Sequence, residues 1–415
     1  MKKNIQILLE TVVRCGGNCS GCALSSVERM SKSNINWELF AKKAQEIFDY
    51  LSQQESSEIE SVSLFLGQGD HFLLSEDEMI KFVEICSKIV PNKLKHKTTT
   101  LITASAIGKE KVIKEKMDLF YNLFLEKEMP FFIQVVFDPK KMIVSEKFSK
   151  IYINNILYFK QKCGMTELTI NLGNDLFERM SAKEFNDLVI NYGFKHVEMN
   201  WVMNINTKSM WIENNNYKKM FEWLKELLEL NAYDHQYEIN FVPFLGRAMG
   251  LFKEEELVND VLVETISKQL LENIYIDNYG GASFCQTGLI SNIVPIKERL
   301  ITSQIKIDNK KELEVESKRK TNIILSKMLR KKACSGCDFI NTCLQIGSYA
   351  WLENKKEESF DCPWGIKDFL IFMKKYIEDN KDYALTKFDR NPIQSKILMN
   401  ENNADFKYFE SRFDK

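Results

Sequence analysis

The chain has 415 residues, 28% of them charged, and a formal net charge of −1. That balance leaves no electrostatic footprint for nucleic acid or an anionic membrane surface. No apolar run approaches the roughly 20 residues that a bilayer span needs.

Lys2 and Lys3 are followed by a run that Glu10 and Arg14 interrupt, which speaks against a secretory signal and for the cytoplasm. Ten cysteines in such a chain suit metal-binding thiols better than disulfides. Four histidines are few for a histidine-rich metal centre. The length calls for two or more structural units.

In chain order, short β-rich runs alternate with amphipathic stretches as far as residue 243. The spacing predicts strands at 5–13, 59–66, 98–104, 131–137, 168–172 and 196–202, with a further apolar run at 237–244. Between them it predicts helices at 37–51, 76–89, 109–126, 146–161, 182–192 and 217–230. Ser75 and Glu78 form a capping box at the start of the second helix, each side chain satisfying an orphan backbone N–H. Repeated βα units imply a parallel sheet with right-handed crossovers. The fold class expected is therefore α/β.

Directly after the first strand stand Cys15, Cys19 and Cys22, spaced C-x3-C-x2-C. Three thiolates at that spacing can hold three irons of a [4Fe–4S] cube and leave the fourth iron open. Clusters that only carry electrons usually have four cysteines. The alternatives are a zinc knuckle or a set of buried thiols. Structural zinc prefers paired C-x2-C units with a fourth Cys or His, and the first histidine is His71.

The cysteine loop resembles the signature of the radical S-adenosylmethionine (SAM) enzymes. It departs from that signature at Gly21, where the family usually has an aromatic residue. The resemblance implies a partial (β/α)6 TIM-type barrel with the active site at the C-terminal ends of its strands. It implies a [4Fe–4S] cluster that binds SAM and cleaves it reductively to a 5′-deoxyadenosyl radical, which abstracts a hydrogen atom from the substrate. The second strand ends in Gly67-Gln68-Gly69-Asp70. This resembles the family's glycine-rich motif for the SAM amino group, with Asp70 in place of the usual Glu; taken alone, G-x-G-D is more often just a turn. By position, Ser105, Asp138 and Asn171 are expected SAM contacts, and Glu198 and Asn200 are further candidates. Their other reading is ordinary strand-end polar residues. Gly246-Arg247-Ala248 resembles an element found after the barrel in relatives, where Arg247 holds a carboxylate, closes the barrel bottom or makes a structural salt bridge.

A second group follows: Cys334, Cys337, Cys343 and Cys362. Four thiolates can close either an auxiliary [4Fe–4S] cluster or a zinc site. The spacing resembles the C-terminal SPASM extension of radical SAM maturases, in a reduced form. Gly347 stands where one ligand is expected. Gly280-x4-Cys285, after a strand-like run at 274–277, keeps one element of the other auxiliary site without its partners. The resemblance thus implies a small C-terminal iron–sulfur cluster domain with one auxiliary cluster, two clusters in all. Cys285 is a candidate hydrogen-atom donor or an inert thiol. Gln286 follows it where sulfatase-maturating relatives carry an Asp. Cys86 and Cys163 read as core residues. The basic, amphipathic stretch 318–332 reads as a solvated helix face or as a docking face for an acidic peptide or an electron donor.

The domain expectation is a barrel at 1–245, the auxiliary extension at 246–365, and a C-terminal helix and tail at 366–415. The functional expectation is hydrogen-atom abstraction from a peptide or protein, of the ribosomal peptide maturation type. A small-metabolite substrate is the alternative, and a non-catalytic iron–sulfur scaffold or redox sensor is the remote one. Expected partners are the peptide or small-molecule substrate and a flavodoxin- or ferredoxin-type electron donor.

Overall fold

The structure is a computed structural model. It describes residues 3–12, 14–17, 19, 30, 35–67, 69–142, 144–163, 166–171, 174–194, 196–200, 216–234, 237–242, 273–276 and 282–283, with a few positions between 332 and 375.

Seven strands follow one another across one sheet: β1 (Lys3–Glu10), β2 (Ile59–Gly67), β3 (Thr98–Ala104), β4 (Phe131–Phe137), β5 (Thr166–Asn171), β6 (His196–Asn200) and β7 (Glu238–Val242). Each pairs in parallel with the next. On the far side of β1 lies β8 (Asn273–Ile276), also parallel, and β9 (Ala282–Ser283) turns back antiparallel to β8. The order is β7-β6-β5-β4-β3-β2-β1-β8-β9. Helices fill the crossovers: α1 (Trp37–Ser52), α2 (Glu76–Ile89), α3 (Asn92–Lys95), α4 (Glu110–Glu126), α5 (Glu146–Cys163), α6 (Asn174–Phe177), α7 (Ala182–Asn191) and α8 (Asn216–Asp234). Parallel strands joined by helices make the expected α/β partial barrel.

The period of two along each strand decides which residues meet the helices. Ile5, Ile7 and Leu9 of β1, Val62, Leu64 and Leu66 of β2, and Ile133, Val135 and Phe137 of β4 join one core with helix residues such as Ile47, Phe82, Phe120 and Phe159. The intervening Ser63, Thr103, Gln134, Thr169 and Glu198 fall on the opposite, inner face. There Gln134 donates to Glu198 at 3.3 Å. The core is rich in rings: Phe124 stacks on Phe131 at 4.5 Å and Phe72 lies 4.7 Å from Phe159. Such pairs add about 0.5–1.5 kcal/mol beyond the area they bury.

The capping box of Ser75 and Glu78 is present at α2, and Ser181 and Glu184 make a second one at α7. The first strand ends at Glu10 rather than at residue 13. Its ladder with β2 runs to the Glu10–Gly67 pair, after which the chain leaves strand geometry to form the cysteine loop. The run expected at 237–244 supplies β7, and the one at 274–277 supplies β8.

Of the expected C-terminal extension, only β8, β9, Lys332, Ser335, Gly336 and Cys337 are among the described residues. Gln68, Cys22, Arg247, Cys285, Cys334, Cys343 and Cys362 lie outside them. Phe372, in the expected terminal helix, packs on the core beneath the Lys225 ammonium of α8, 5.1 Å from the ring centroid. No helix among the described residues is long and apolar enough to cross a membrane.

Candidate functional site

The site grows from the C-terminal ends of β1 to β4. Beyond Glu10 and Gly67, strand pairing gives way to a tighter set of backbone bonds. Thr11 N–H donates to Gly67 O at 2.6 Å, Gly69 N–H to Val12 O at 2.6 Å, and Asp70 N–H to Arg14 O at 2.9 Å. Gly67, Gly69 and Asp70 thereby clamp the start of the cysteine loop. Gly69 is required there by space. A Cβ on it would stand 2.5 Å from both the Val12 and Arg14 carbonyl oxygens.

Cys15 and Cys19 are half-buried. The Gly17 N–H donates to Cys15 Sγ at 3.3 Å. A Cβ on Gly17 would lie 3.3 Å from Cys15 Sγ, 3.4 Å from Cys19 Sγ and 3.7 Å from Ser105 Cβ. Both sulfurs therefore converge on one side of this glycine, beside the end of β3. That convergence suits two cluster ligands, whose sulfurs must be presented to a common centre. Among the described residues no three His, Cys, Asp or Glu side chains gather closely enough to hold a metal ion.

Asp70 lies beneath the loop, 1% exposed. Its Oδ1 accepts the Phe72 N–H at 3.0 Å and its Oδ2 accepts the Ser105 hydroxyl. Burial pushes its carboxyl above the ordinary aspartate value. The Ser105 and Phe72 donors and the Lys141 ammonium pull the other way. Ser105 Oγ also accepts the Ile107 N–H at 3.3 Å, which fixes the turn after β3. That turn holds Ala106 at φ +56°, a left-handed conformation costly for a residue with a Cβ. Asn155 of α5 donates to Ala106 O at 3.0 Å and Gly108 O at 3.2 Å, bracing it.

Lys141 closes the site from the turn after β4. Its Nζ approaches Ser105 O at 3.4 Å and Val136 O at 3.5 Å, and hydrogen-bonds Cys19. It stands 5.1 Å from the Tyr152 ring centroid. Burial works to lower its pKa, but the surrounding Tyr152, Cys19 and Asp138 outweigh that, and the ammonium is held above the usual lysine value. Burial likewise pushes the Tyr152 phenol up, to about 12. Its hydroxyl donates to Val136 O at 3.2 Å.

His71 is a buried strut under the same edge. Its Nδ1 faces Thr103 O at 3.0 Å and its Nε2 faces the Thr11 hydroxyl at 3.2 Å. A neutral ring with its proton on Nδ1 serves both partners. Burial pulls its pKa from 6.5 down to about 4.

Six expected site residues thus come together: Cys15, Cys19, Gly67, Gly69, Asp70 and Ser105. Asp138 is at the same edge, but its carboxylate caps its own turn through the Lys140 N–H at 3.0 Å. Asn171 stands at the end of β5 in register with Asn200 of β6. Cys337 is half-buried, far along the chain at 337. Cys86 and Cys163 are buried in the core, as read. Lys141 and His71 were missed. The only sequence signal for Lys141 is its place three residues after Asp138, at a strand's C-terminal end.

No protein-family model matches the sequence, and no curated protein matches it. Solved structures do. Streptococcus suis SuiB bound to S-adenosylmethionine superposes with a TM-score of 0.51 at 12% identity, covering 88% of this chain and 77% of its own. anSMEcpe with bound AdoMet and the Cp18Cys peptide superposes with a TM-score of 0.58 at 14% identity, covering 93% of this chain and 99% of its own. The same protein with the Kp18Cys peptide gives the same values. The likeness is one of fold. It is the α/β partial barrel that the cysteine loop's resemblance implies.

Proposed function

We propose that this chain is a radical SAM enzyme that abstracts a hydrogen atom from a peptide or protein. The observation that carries the reading is the convergence of Cys15 and Cys19 beside the buried Asp70–Ser105 pair, at the C-terminal edge of a parallel barrel sheet. Cys22 would complete the set as third ligand. A [4Fe–4S] cluster held there supplies reductive cleavage of SAM to a 5′-deoxyadenosyl radical.

The chain's own residues bind and orient. Burial disfavours the ionised form of Asp70, so an incoming ammonium group such as that of SAM would stabilise that form. Ser105 and the Phe72 N–H keep its two oxygens aimed while that group arrives. Gln68, Asp138 and Asn171 remain proposed SAM contacts. The inner face, with its Gln134–Glu198 pair, offers a polar wall for the substrate.

The fold's occurrence in a protein solved with the Cp18Cys peptide supports a peptide substrate here. The proposed organisation keeps a barrel at 1–245, an extension at 246–365 and a tail at 366–415. Cys334, Cys337, Cys343 and Cys362 would hold one auxiliary cluster, and Cys285 is kept as a hydrogen-atom donor candidate. A flavodoxin- or ferredoxin-type protein in the cytoplasm would supply the electron.

The test is anaerobic reconstitution, then dithionite and SAM, with 5′-deoxyadenosine as the readout. Product formed by the wild type and lost in the Cys15→Ala, Cys19→Ala, Cys22→Ala variant supports the reading. Bound iron without product, in the presence of candidate peptides and metabolites, turns it toward a scaffold or sensor.

A further inference from the structure

Lys141 is a buried cation that SAM binding through Asp70 and hydrogen-atom abstraction leave without a role. Its backbone is locked. The Lys141 N–H donates to Asp138 O at 2.9 Å within the short turn Pro139–Met142. The Asp138 carboxylate caps the same turn. Asn155 and Tyr152, both on α5, hold the neighbouring Ala106–Gly108 turn and the end of β4. The side chain therefore enters the sheet edge from a rigid support rather than from a mobile loop.

At its tip an ammonium has three protons and no acceptor capacity. Three acceptors surround it: Ser105 O, Val136 O and the Cys19 sulfur. What Lys141 offers the site is a fixed positive charge. That charge is 5% exposed, so water screens it little. Iron–sulfur potentials respond to local charge, to hydrogen bonds on the sulfurs and to solvent access. Lys141 supplies the first two at one ligand.

We propose that Lys141 sets the reduction potential of the cluster carried by Cys15, Cys19 and Cys22, its ammonium on the Cys19 sulfur making the cluster easier to reduce. This rests on the reading that those cysteines hold a cluster. The step is uptake of one electron from an external low-potential donor, with no bond made or broken and no proton moved. Reduction adds negative charge beside the ammonium, so the reduced state gains more from it than the oxidised state. Asp70 and Asp138 are the carboxyl groups nearby, and each interacts with the Lys141 ammonium. Removing Lys141 takes away the positive charge that opposes them.

The test is an equilibrium redox titration of reconstituted wild type, Lys141→Met, Lys141→Gln and Lys141→Arg. The signal followed is the paramagnetic resonance of the reduced cluster that changes on adding SAM, and iron is counted in each variant. Lys141→Met and Lys141→Gln are expected to lower the reduced-to-oxidised ratio at least tenfold at a fixed potential, a midpoint shift of about 59 mV for one electron. Lys141→Arg keeps the charge and stays close to wild type. A full cluster with an unmoved midpoint in Lys141→Met overturns the tuning role. So does cluster loss in all three variants, which makes Lys141 a packing residue. A wild type that takes up no iron overturns the underlying radical SAM reading instead.

Discussion

Substituting Gly69 by Ala should damage the site more than any other single methyl group. The new Cβ would meet two backbone oxygens, Val12 O and Arg14 O, at 2.5 Å, and Val12 C at 2.9 Å. None of these is the yielding tip of a side chain. Relief requires the Gly67–Asp70 stretch to back away from the cysteine loop, which breaks the Gly69–Val12 and Asp70–Arg14 bonds. Each lost backbone bond costs about 1 kcal/mol net, and forced overpacking adds about 1–3 kcal/mol. The expected destabilisation is about 3–5 kcal/mol, a large share of a typical stability of about 5–15 kcal/mol. The assay is urea unfolding without oxygen, with iron per chain measured alongside. Gly16→Ala is the control, since nothing lies within 4 Å of a Cβ there. It should stay within about 0.5 kcal/mol of wild type. A Gly69→Ala protein as stable as Gly16→Ala, with wild-type iron content, would refute the clamp.

Stability should also fall on mild acidification through His71. Its folded pKa of about 4 lies below the unfolded 6.5, so the unfolded chain binds the extra proton between those values. The contribution is whole above pH 6.5 and is lost as pH falls toward 4, roughly 3 kcal/mol in all. Unfolding curves of wild type and His71→Asn across that window check it, and equal slopes would contradict it. Asp70→Asn should weaken SAM binding roughly 10- to 100-fold, since bonds to a charged group are worth about 1.5–3 kcal/mol. Calorimetric titration with SAM measures this, and an unchanged affinity would remove Asp70 from the amino-group role. A Cys334→Ala, Cys337→Ala variant should drop from about eight irons per chain to about four and still make 5′-deoxyadenosine. Unchanged iron, or zinc in its place, would count against an auxiliary iron–sulfur cluster.

The strands and helices were legible because each obeys one period and ends at a recognisable signal. The 76–89 helix was readable from its capping box, and the structure returns Glu76–Ile89 unchanged. The 98–104 and 131–137 strands are likewise returned unchanged, bounded by turns and buried nearly throughout. The first strand was overrun because Thr11, Val12 and Val13 keep strand-like composition while the chain already bends to meet Gly69. Composition reports what a residue prefers, and here the clamp overrides it. Cys15, Cys19, Asp70 and Ser105 were legible from spacing and strand-end position. Lys141 and His71 were not, since their roles come from contacts to residues 19, 11 and 103, set by sheet topology. A buried lysine and an exposed one look alike in a sequence.

The site and the fold rest on the same bonds. Thr11, Gly67, Gly69, Asp70, His71, Thr103 and Ser105 link the ends of β1, β2 and β3, and the cysteine loop hangs from that knot. Buried polar groups of this kind cost desolvation, as the opposed shifts of Asp70 and His71 record. A core made only for stability would place apolar side chains there, as the helix-facing side of the same strands does with Leu64, Leu66 and Ile102. The polar edge is instead preorganised: its oxygens and ring nitrogens are aimed before any ligand arrives. A ligand that compensates Asp70 therefore offsets a cost the fold already carries. Binding at this edge and stability of the β1–β3 ends are coupled through those hydrogen bonds.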